Sequence, residues 1–251
     1  MNSLGKTTDL TASQLPPVFD RTRRSVQTEV LDGPVDTNEL TKILRDLARF
    51  NGAMMGHWPV IQWLNRAARN IPKDEPLTLV DVGCGYGDLL RTVRRWASKH
   101  GRPMRLVGID LSSQVIEVAR RVTGAADDID FRVANVFEFK PDGPVDLVTT
   151  SLVTHHLSDA MIVRFLRWME ASARRGWVIY DLQRSIVPYY FIALAGTLMR
   201  LHPVVSYDGR ISVARSLTRT EWKYAIGEAG IPDGSVDLRW FMFRFVIGRV
   251  R

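Results

Sequence analysis

The apolar positions of this chain change period along its length. From residue 37 to about residue 70 they recur at helical spacing. Leu40, Ile43, Leu44 and Leu47 share one face, Gly52, Gly56 and Pro59 interrupt the pattern, and Val60, Ile61 and Leu64 resume it. After the connector IPKDEPL (71–77), short β-type runs alternate with amphipathic helices. Strands are predicted over Leu77–Val82, Leu106–Ile109, Phe131–Val133, Val145–Ser151 and Trp177–Leu182. Helices are predicted over Asp88–His100, with Leu89, Val93 and Trp96 on one face, over Ser113–Val122, and from a Ser158 cap through Ala171. That alternation implies βαβ units around a parallel sheet.

From residue 186 the pattern changes. Ile186–Leu201 is apolar on nearly every face, with Pro188 acceptable in a first helical turn. "YDGR" (Tyr207–Arg210) reads as a loop, and Thr218-x-x-Glu221 as a capping box for a helix ending at Gly230. Val236–Val250 reads as two closing strands. Residues 1–25, polar and carrying Pro16 and Pro17, read as a flexible arm. The organisation expected is that arm, a helical N-terminal cap over 26–72, and one α/β domain over 73–251 with an insert at about 186–216.

Composition narrows the setting. With 251 residues, 45% of them hydrophobic, the chain can bury a sizeable core. Cys84 is its one cysteine, which rules out an intramolecular disulfide and makes a reducing cytoplasm the expected compartment. The N-terminus has no basic segment followed by an apolar core, so no signal peptide is expected. No apolar run reaches the roughly 20 residues that span a bilayer. The net charge of +7 raises the question of nucleic acid, but the arginines are scattered at helix-surface spacing, as at Arg91, Arg94 and Arg95. A basic face suited to anionic lipid or an acidic substrate is at least as good a reading.

The densest chemistry lies in "LVDVGCGYGD" (Leu79–Asp88). A strand enters a turn carrying Gly83, Gly85 and Gly87, and a helix leaves it. Such a turn brings backbone N–H groups close to a ligand. An acid near the end of the next strand, Asp110, is placed to accept both hydroxyls of a ribose. The spacing is G-x-G-x-G rather than the dinucleotide G-x-G-x-x-G, and Asp81 stands two residues before the first glycine. An acid there repels a pyrophosphate and suits an α-ammonium group. Cys84, wedged in the turn, reads as a small filler rather than a nucleophile.

These residues, with "ANVFEF" (Ala134–Phe139) and "DLVTTSLVTHHL" (Asp146–Leu157), resemble the class I S-adenosylmethionine-dependent methyltransferases over about residues 75–185. The flanks are similar to a bacterial subgroup acting on small molecules. The resemblance implies a Rossmann-like, doubly wound, seven-stranded mostly parallel sheet with a helical N-terminal extension and a helical insert after strand five. It implies S-adenosyl-L-methionine as cofactor. Asp81 and the turn, Cys84 included, would hold the methionine part, and Asp110 with Leu111 the ribose. Asn135 and Val136 would flank the adenine, Ser151 would lie beneath the sulfonium, and Arg49 would pair with the cofactor carboxylate unless it is simply solvated.

The acceptor is narrowed by elimination. The place after strand four reads "SLVTHHL", without the N/D/S-P-P-aromatic motif of adenine and amide N-methyltransferases, and the cysteine of cytosine C5-methylation is missing from the acceptor side. What remains is a small molecule, expected to be a lipophilic phenol, quinol or polyketide-like compound methylated on oxygen. Tyr189, Tyr190, His202 and Arg210, with Asp208 and Arg215 nearby, are candidate acceptor contacts in the apolar insert. The insert's first helix also reads as an ordinary core helix or as one resting on a membrane surface.

His155 and His156 fall in the turn beyond strand four. Each reads as a general base, as a donor that orients the acceptor, or as a packing residue at a helix entry. No metal is expected, because neighbouring side chains diverge and no further ligands stand near in sequence. A non-catalytic cofactor-binding protein, an N- or C-methyltransferase and an RNA methyltransferase are the alternatives. Oligomeric state is not legible.

Overall fold

The alternation of periods folds into one sheet. The structure, a computed structural model, describes residues 19–251, so the predicted arm at 1–18, with Pro16 and Pro17, lies outside the described residues. The strands are β1 (Leu77–Val82), β2 (Met104–Asp110), β3 (Ile129–Val133), β4 (Val145–Ser151), β5 (Ala173–Leu182), β6 (Asp237–Phe241) and β7 (Arg244–Val250). Their order is β3-β2-β1-β4-β5-β7-β6. The first five are parallel, and β7 inserts antiparallel between β5 and β6. This is the doubly wound, seven-stranded, mostly parallel sheet the resemblance implies.

The helices are α1 (Thr37–Ala53), α2 (Trp58–Ala67), α3 (Asp88–Lys99), α4 (Ser113–Val122), α5 (Asp159–Ser172), α6 (Ile186–Leu198), α7 (Pro203–Arg215) and α8 (Arg219–Glu228). Alternate strand residues feed two cores. Leu77, Leu79, Leu106, Leu147 and Tyr180 pack with α2, α3 and α4 on one face. Val80, Val107, Val148, Trp177 and Ile179 pack with α5 and α8 on the other. Trp63, Trp177 and Phe165 are at most 1% exposed, and burying each large side chain contributes about 2–3 kcal/mol.

A third layer closes the carboxyl end of the sheet. Ile43 and Phe50 of α1 join Tyr189, Ile192, Val204, Val205 and Val213 of α6 and α7 around Leu182. Leu40 and Leu44, on the other flank of α1, meet Val118 and Tyr86. Within the N-terminal stretch 26–72, α1 therefore belongs to this cap, whereas α2 packs on the sheet itself.

Two local readings are corrected. "YDGR" is not a loop but lies inside α7. Polar and glycine residues occur there because the helix is clamped on all sides. Asp208 accepts the Val30 and Leu31 N–H groups at 2.8 and 3.0 Å, and a Cβ on Gly209 would come within 2.9 Å of Ile192 in α6. Residues 19–25, read as the end of a flexible arm, are also held. Ser25 N–H donates to Ala214 O at 2.9 Å, and the Arg24 guanidinium donates to the carbonyls of His155, Leu157 and Arg215 at 3.1, 2.8 and 2.6 Å.

Candidate active site

Strand order reverses between β1 and β4, and the crevice beyond such a reversal is where open α/β sheets bind ligands. The segments leaving these strands touch. After β1, Gly83, Gly85 and Gly87 adopt φ of +65°, +51° and +74°, the left-handed region that a side chain penalises. A Cβ on Gly83 would lie 2.3 Å from Val153 Cγ2, in the loop after β4. Gly87 is the N-cap of α3, and the turn before it is held by the Gly83 and Cys84 N–H groups, which donate to Ile109 O of β2 at 2.8 and 3.0 Å.

Asp110 closes the turn from β2. It accepts Gly85 N–H at 3.1 Å through one oxygen and Ser112 N–H at 3.0 Å through the other. Burial raises its carboxyl above the ordinary value against those two donors. Leu111 beside it is 73% exposed. Asn135 and Val136 follow β3, and Ala134 N–H donates to Asp110 O at 2.9 Å, so this loop is registered to the acid. Asp110, Leu111, Asn135, Val136 and Ser151 all stand at the carboxyl ends of neighbouring strands.

Asp81 lies behind the turn rather than in the crevice. It is 2% exposed and accepts the Thr149 hydroxyl of β4 at 2.7 Å. Burial pushes its carboxyl up to about 7, with the Thr149 bond opposing and Asp88 and Asp110 adding to the rise. Cys84 is buried, and its thiol is raised well above the ordinary value by burial, which suits a filler. Arg49 does not stand free for a carboxylate. It pairs with Asp46 at 2.9 Å, and Asp46 also accepts His202 N–H at 2.9 Å at the corner between α6 and α7.

Beyond β4, Leu152 takes φ +60° and its N–H reaches Tyr180 O of β5 at 2.9 Å. The chain then makes a single helical turn, Thr154–His156. His155 is 3% exposed and its Nδ1 meets Asp181 Oδ1 at 2.7 Å. Asp181 also accepts the Thr154 hydroxyl, His155 N–H and Leu182 N–H. Burial would raise this carboxyl, but His155 beside it and the hydrogen bonds hold it at about 2. His156 is partly exposed, with Nδ1 3.2 Å from Asp32 Oδ1.

The expectation that the two histidines diverge is overturned. Their ring centroids are 4.3 Å apart, and Glu29, from a segment with no periodic signal, stands against both. Glu29 and Asp32 were not singled out in the sequence. Their signal there is a capping pair: Glu29 and Asp32 bond each other's backbone around the turn Val30–Asp32.

The chosen acceptor residues are corrected too. Tyr189 is 3% exposed, lies under the Arg210 guanidinium at 4.3 Å, and its hydroxyl accepts from Arg210 at 2.8 Å. His202 caps α7 and bonds Glu39 at 2.6 Å, and Tyr190 points outward at 63% exposure. None of the four lines the small hollow where the carboxyl end of β5 meets the start of β7. Its walls are Phe50 of α1 and Met54, which caps that helix, Phe191 and Ile192 of α6, and Met242–Arg244 of the β6–β7 hairpin, with Tyr180 and Leu182 of β5. Arg244 is 5% exposed, donates to Asn51 Oδ1 at 2.6 Å and lies over the Tyr180 ring.

Comparison with known proteins agrees with this geometry. Residues 79–176 match the family described as a methyltransferase domain. Trans-aconitate 2-methyltransferase of Azoarcus sp. (strain BH72) is 33% identical over 99 residues, 38% of this chain and 36% of that protein. The chain thus spans about a third of the length of that curated relative. Among solved structures, magnesium protoporphyrin IX methyltransferase from Synechocystis PCC 6803, with bound SAH, superposes with a TM-score of 0.54 at 17% identity. That match covers 88% of this chain and 89% of the other. A plantazolicin methyltransferase in complex with SAH and a pentazolic substrate analogue gives a TM-score of 0.56 at 16% identity, over 81% and 80%. At these identities the structural likenesses establish the fold. Among the described residues, no helix is long and apolar enough to cross a membrane.

Proposed function

We propose, from the match of residues 79–176 to the methyltransferase-domain family, that the protein transfers a methyl group from S-adenosyl-L-methionine to a small lipophilic aromatic acceptor, on oxygen. The observation that carries the cofactor is the contact of the left-handed glycine turn with Asp110 at the switch point between β1 and β4. The two carboxylate oxygens of Asp110, now accepting from Gly85 and Ser112 N–H, are placed to accept from the ribose hydroxyls as well. Leu111, Asn135 and Val136 offer an apolar and amide surface for the adenine. Asp81, behind the turn, supplies negative potential for the ammonium and sulfonium centres.

The cavity beside β5 supports the acceptor class. It is walled by three phenylalanines, Phe50, Phe191 and Phe243, with Arg244 and Tyr180 as polar groups. The chemistry of that lining matches an aromatic ring, and the guanidinium favours an acidic hydroxyl over a neutral one. Transfer is a displacement at the sulfonium-bound carbon, so the chain's main task is to hold the acceptor oxygen in line at near-attack distance. The acceptor's proton leaves toward the titratable groups beyond β4. His155, fixed by Asp181, is a positioning residue for that loop.

Incubation with methyl-tritiated S-adenosyl-L-methionine and a panel of phenols, hydroxyquinones and small carboxylic acids tests the reading. Label recovered in an ether-type methyl of a phenol supports it. Label only in esters of the acids, or in none of the panel despite cofactor binding, refutes the acceptor assignment.

A further inference from the structure

The adjacent His155 and His156 converge with Glu29, more than a hundred residues earlier in the chain. His155 Nε2 is 3.6 Å from Glu29 Oε1, and His156 Nε2 is 3.8 Å from Glu29 Oε2. One donor atom from each of the three lies within 4.8 Å of the other two. These separations exceed an ordinary hydrogen bond of about 2.7–3.2 Å. They approach the spacing of about 3.4 Å between ligands that each sit about 2.1 Å from one tetrahedral ion.

The outer nitrogens are already engaged by carboxylates. His155 Nδ1 meets Asp181 at 2.7 Å and His156 Nδ1 meets Asp32 at 3.2 Å. A carboxylate only accepts, so in the neutral imidazole each Nδ1 carries the proton and each Nε2 turns a lone pair toward Glu29. Two lone pairs and a carboxylate facing one another form a donor set into which a cation fits. Carboxylates behind ligating histidines are the usual outer shell of a metal site, fixing tautomer and ring direction. Formal charge points the same way. Against Glu29, Asp32 and Asp181 stand two guanidinium groups: Arg215, 2.9 Å from Asp32 and 3.8 Å from Glu29, and Arg24, which donates to the His155 carbonyl and is itself paired with Asp159. Asp208 behind the segment adds to the negative excess. Glu29 itself is held by the Ser212 hydroxyl at 2.8 Å, so its carboxylate is aimed rather than loose.

We propose that Glu29, His155 and His156 bind one divalent transition-metal ion of the zinc class. Two imidazoles and a carboxylate match that class by ligand type, and three protein ligands leave a position open. The ion would also fasten the Val30–Asp32 turn to the loop after β4. Ion binding stands independently of methyl transfer. On the methyl-transfer reading, the ion rather than a free histidine eases loss of the acceptor's proton.

The test uses the full chain stripped with a chelator and titrated with cobalt(II), read by visible absorption, and with zinc(II) by calorimetry. The expected result is one ion per chain, with affinity weakened at least about tenfold in Glu29→Gln and in His156→Gln. His100→Gln, a surface histidine away from the cluster, should bind as the unaltered chain does. Absence of binding up to about 1 mM ion, a free energy near −4 kcal/mol, would overturn the proposal. So would undiminished affinity in both variants. If a variant fails to fold, X-ray absorption of the cobalt-loaded unaltered chain decides: two imidazole nitrogens and one carboxylate oxygen support the site, and any other donor set refutes it. Binding of S-adenosyl-L-homocysteine, measured on the stripped protein, reports the cofactor site separately.

Discussion

Asp181, at the end of β5, holds the imidazole of His155 at 2.7 Å, and both are at most 3% exposed. The pair ties the loop after β4 to the neighbouring strand and thereby fixes the wall of the crevice that Val153 shares with Gly83. Removing one partner of such a buried pair leaves the other's charge or hydrogen-bonding groups unmet. Asp181→Ala should therefore cost about 3–5 kcal/mol in denaturant unfolding. The contribution is present above the unfolded carboxyl value and is lost as pH falls through about 2, so acid unfolding of the unaltered chain and of the variant should converge at low pH.

Gly83→Ala tests the contact between the two segments. Its φ of +65° costs a side chain about 1–2 kcal/mol, and the new Cβ would meet Val153 at 2.3 Å. Affinity for S-adenosyl-L-methionine should drop about tenfold or more, measured by calorimetry. A variant with unchanged affinity would place the cofactor elsewhere.

Asp81 makes both stability and cofactor binding depend on pH. Its carboxyl is raised to about 7 by burial, so the folded chain retains a proton that the unfolded chain releases near its ordinary value of 3.8. Stability from this group is greatest below that value, declines as pH rises, and is fully lost above about 7. Asp81→Asn should flatten the decline, read from urea midpoints across that range. Cofactor binding should move the other way and tighten as the carboxylate ionises, because the ligand's ammonium and sulfonium are positive. The Asn variant should show neither trend.

Much of this architecture is legible in the sequence because two periods alternate over residues 77–182. The glycine turn and Asp110 are legible because the backbone demands them at fixed spacing. The acceptor side is not, and the reason is particular. α6 is apolar all round, so nothing in its pattern says that Phe191 and Ile192 face the cavity while Tyr189 is sealed under Arg210. Glu29 and Asp32 are illegible for a different reason. They meet His156 across more than a hundred residues of chain, and only the folded N-terminal segment brings them there.

The cavity assignment carries its own check. Phe191→Ala or Phe243→Ala removes part of the aromatic lining and should raise KM for a phenolic acceptor by about tenfold, in keeping with 1–3 kcal/mol of apolar contact. Cofactor affinity should stay unchanged. Tyr190→Ala, on the exposed face of the same helix, should alter neither.

On the proposed function, the turn after β1 and the acid of β2 together bind an adenosyl ligand. Titration calorimetry of S-adenosyl-L-homocysteine against the unaltered chain and Asp110→Ala tests it most directly. One site per chain, weakened at least about thirtyfold in the variant as two charged hydrogen bonds are lost, is the predicted result. Equal binding to both proteins, or none to either, would contradict it.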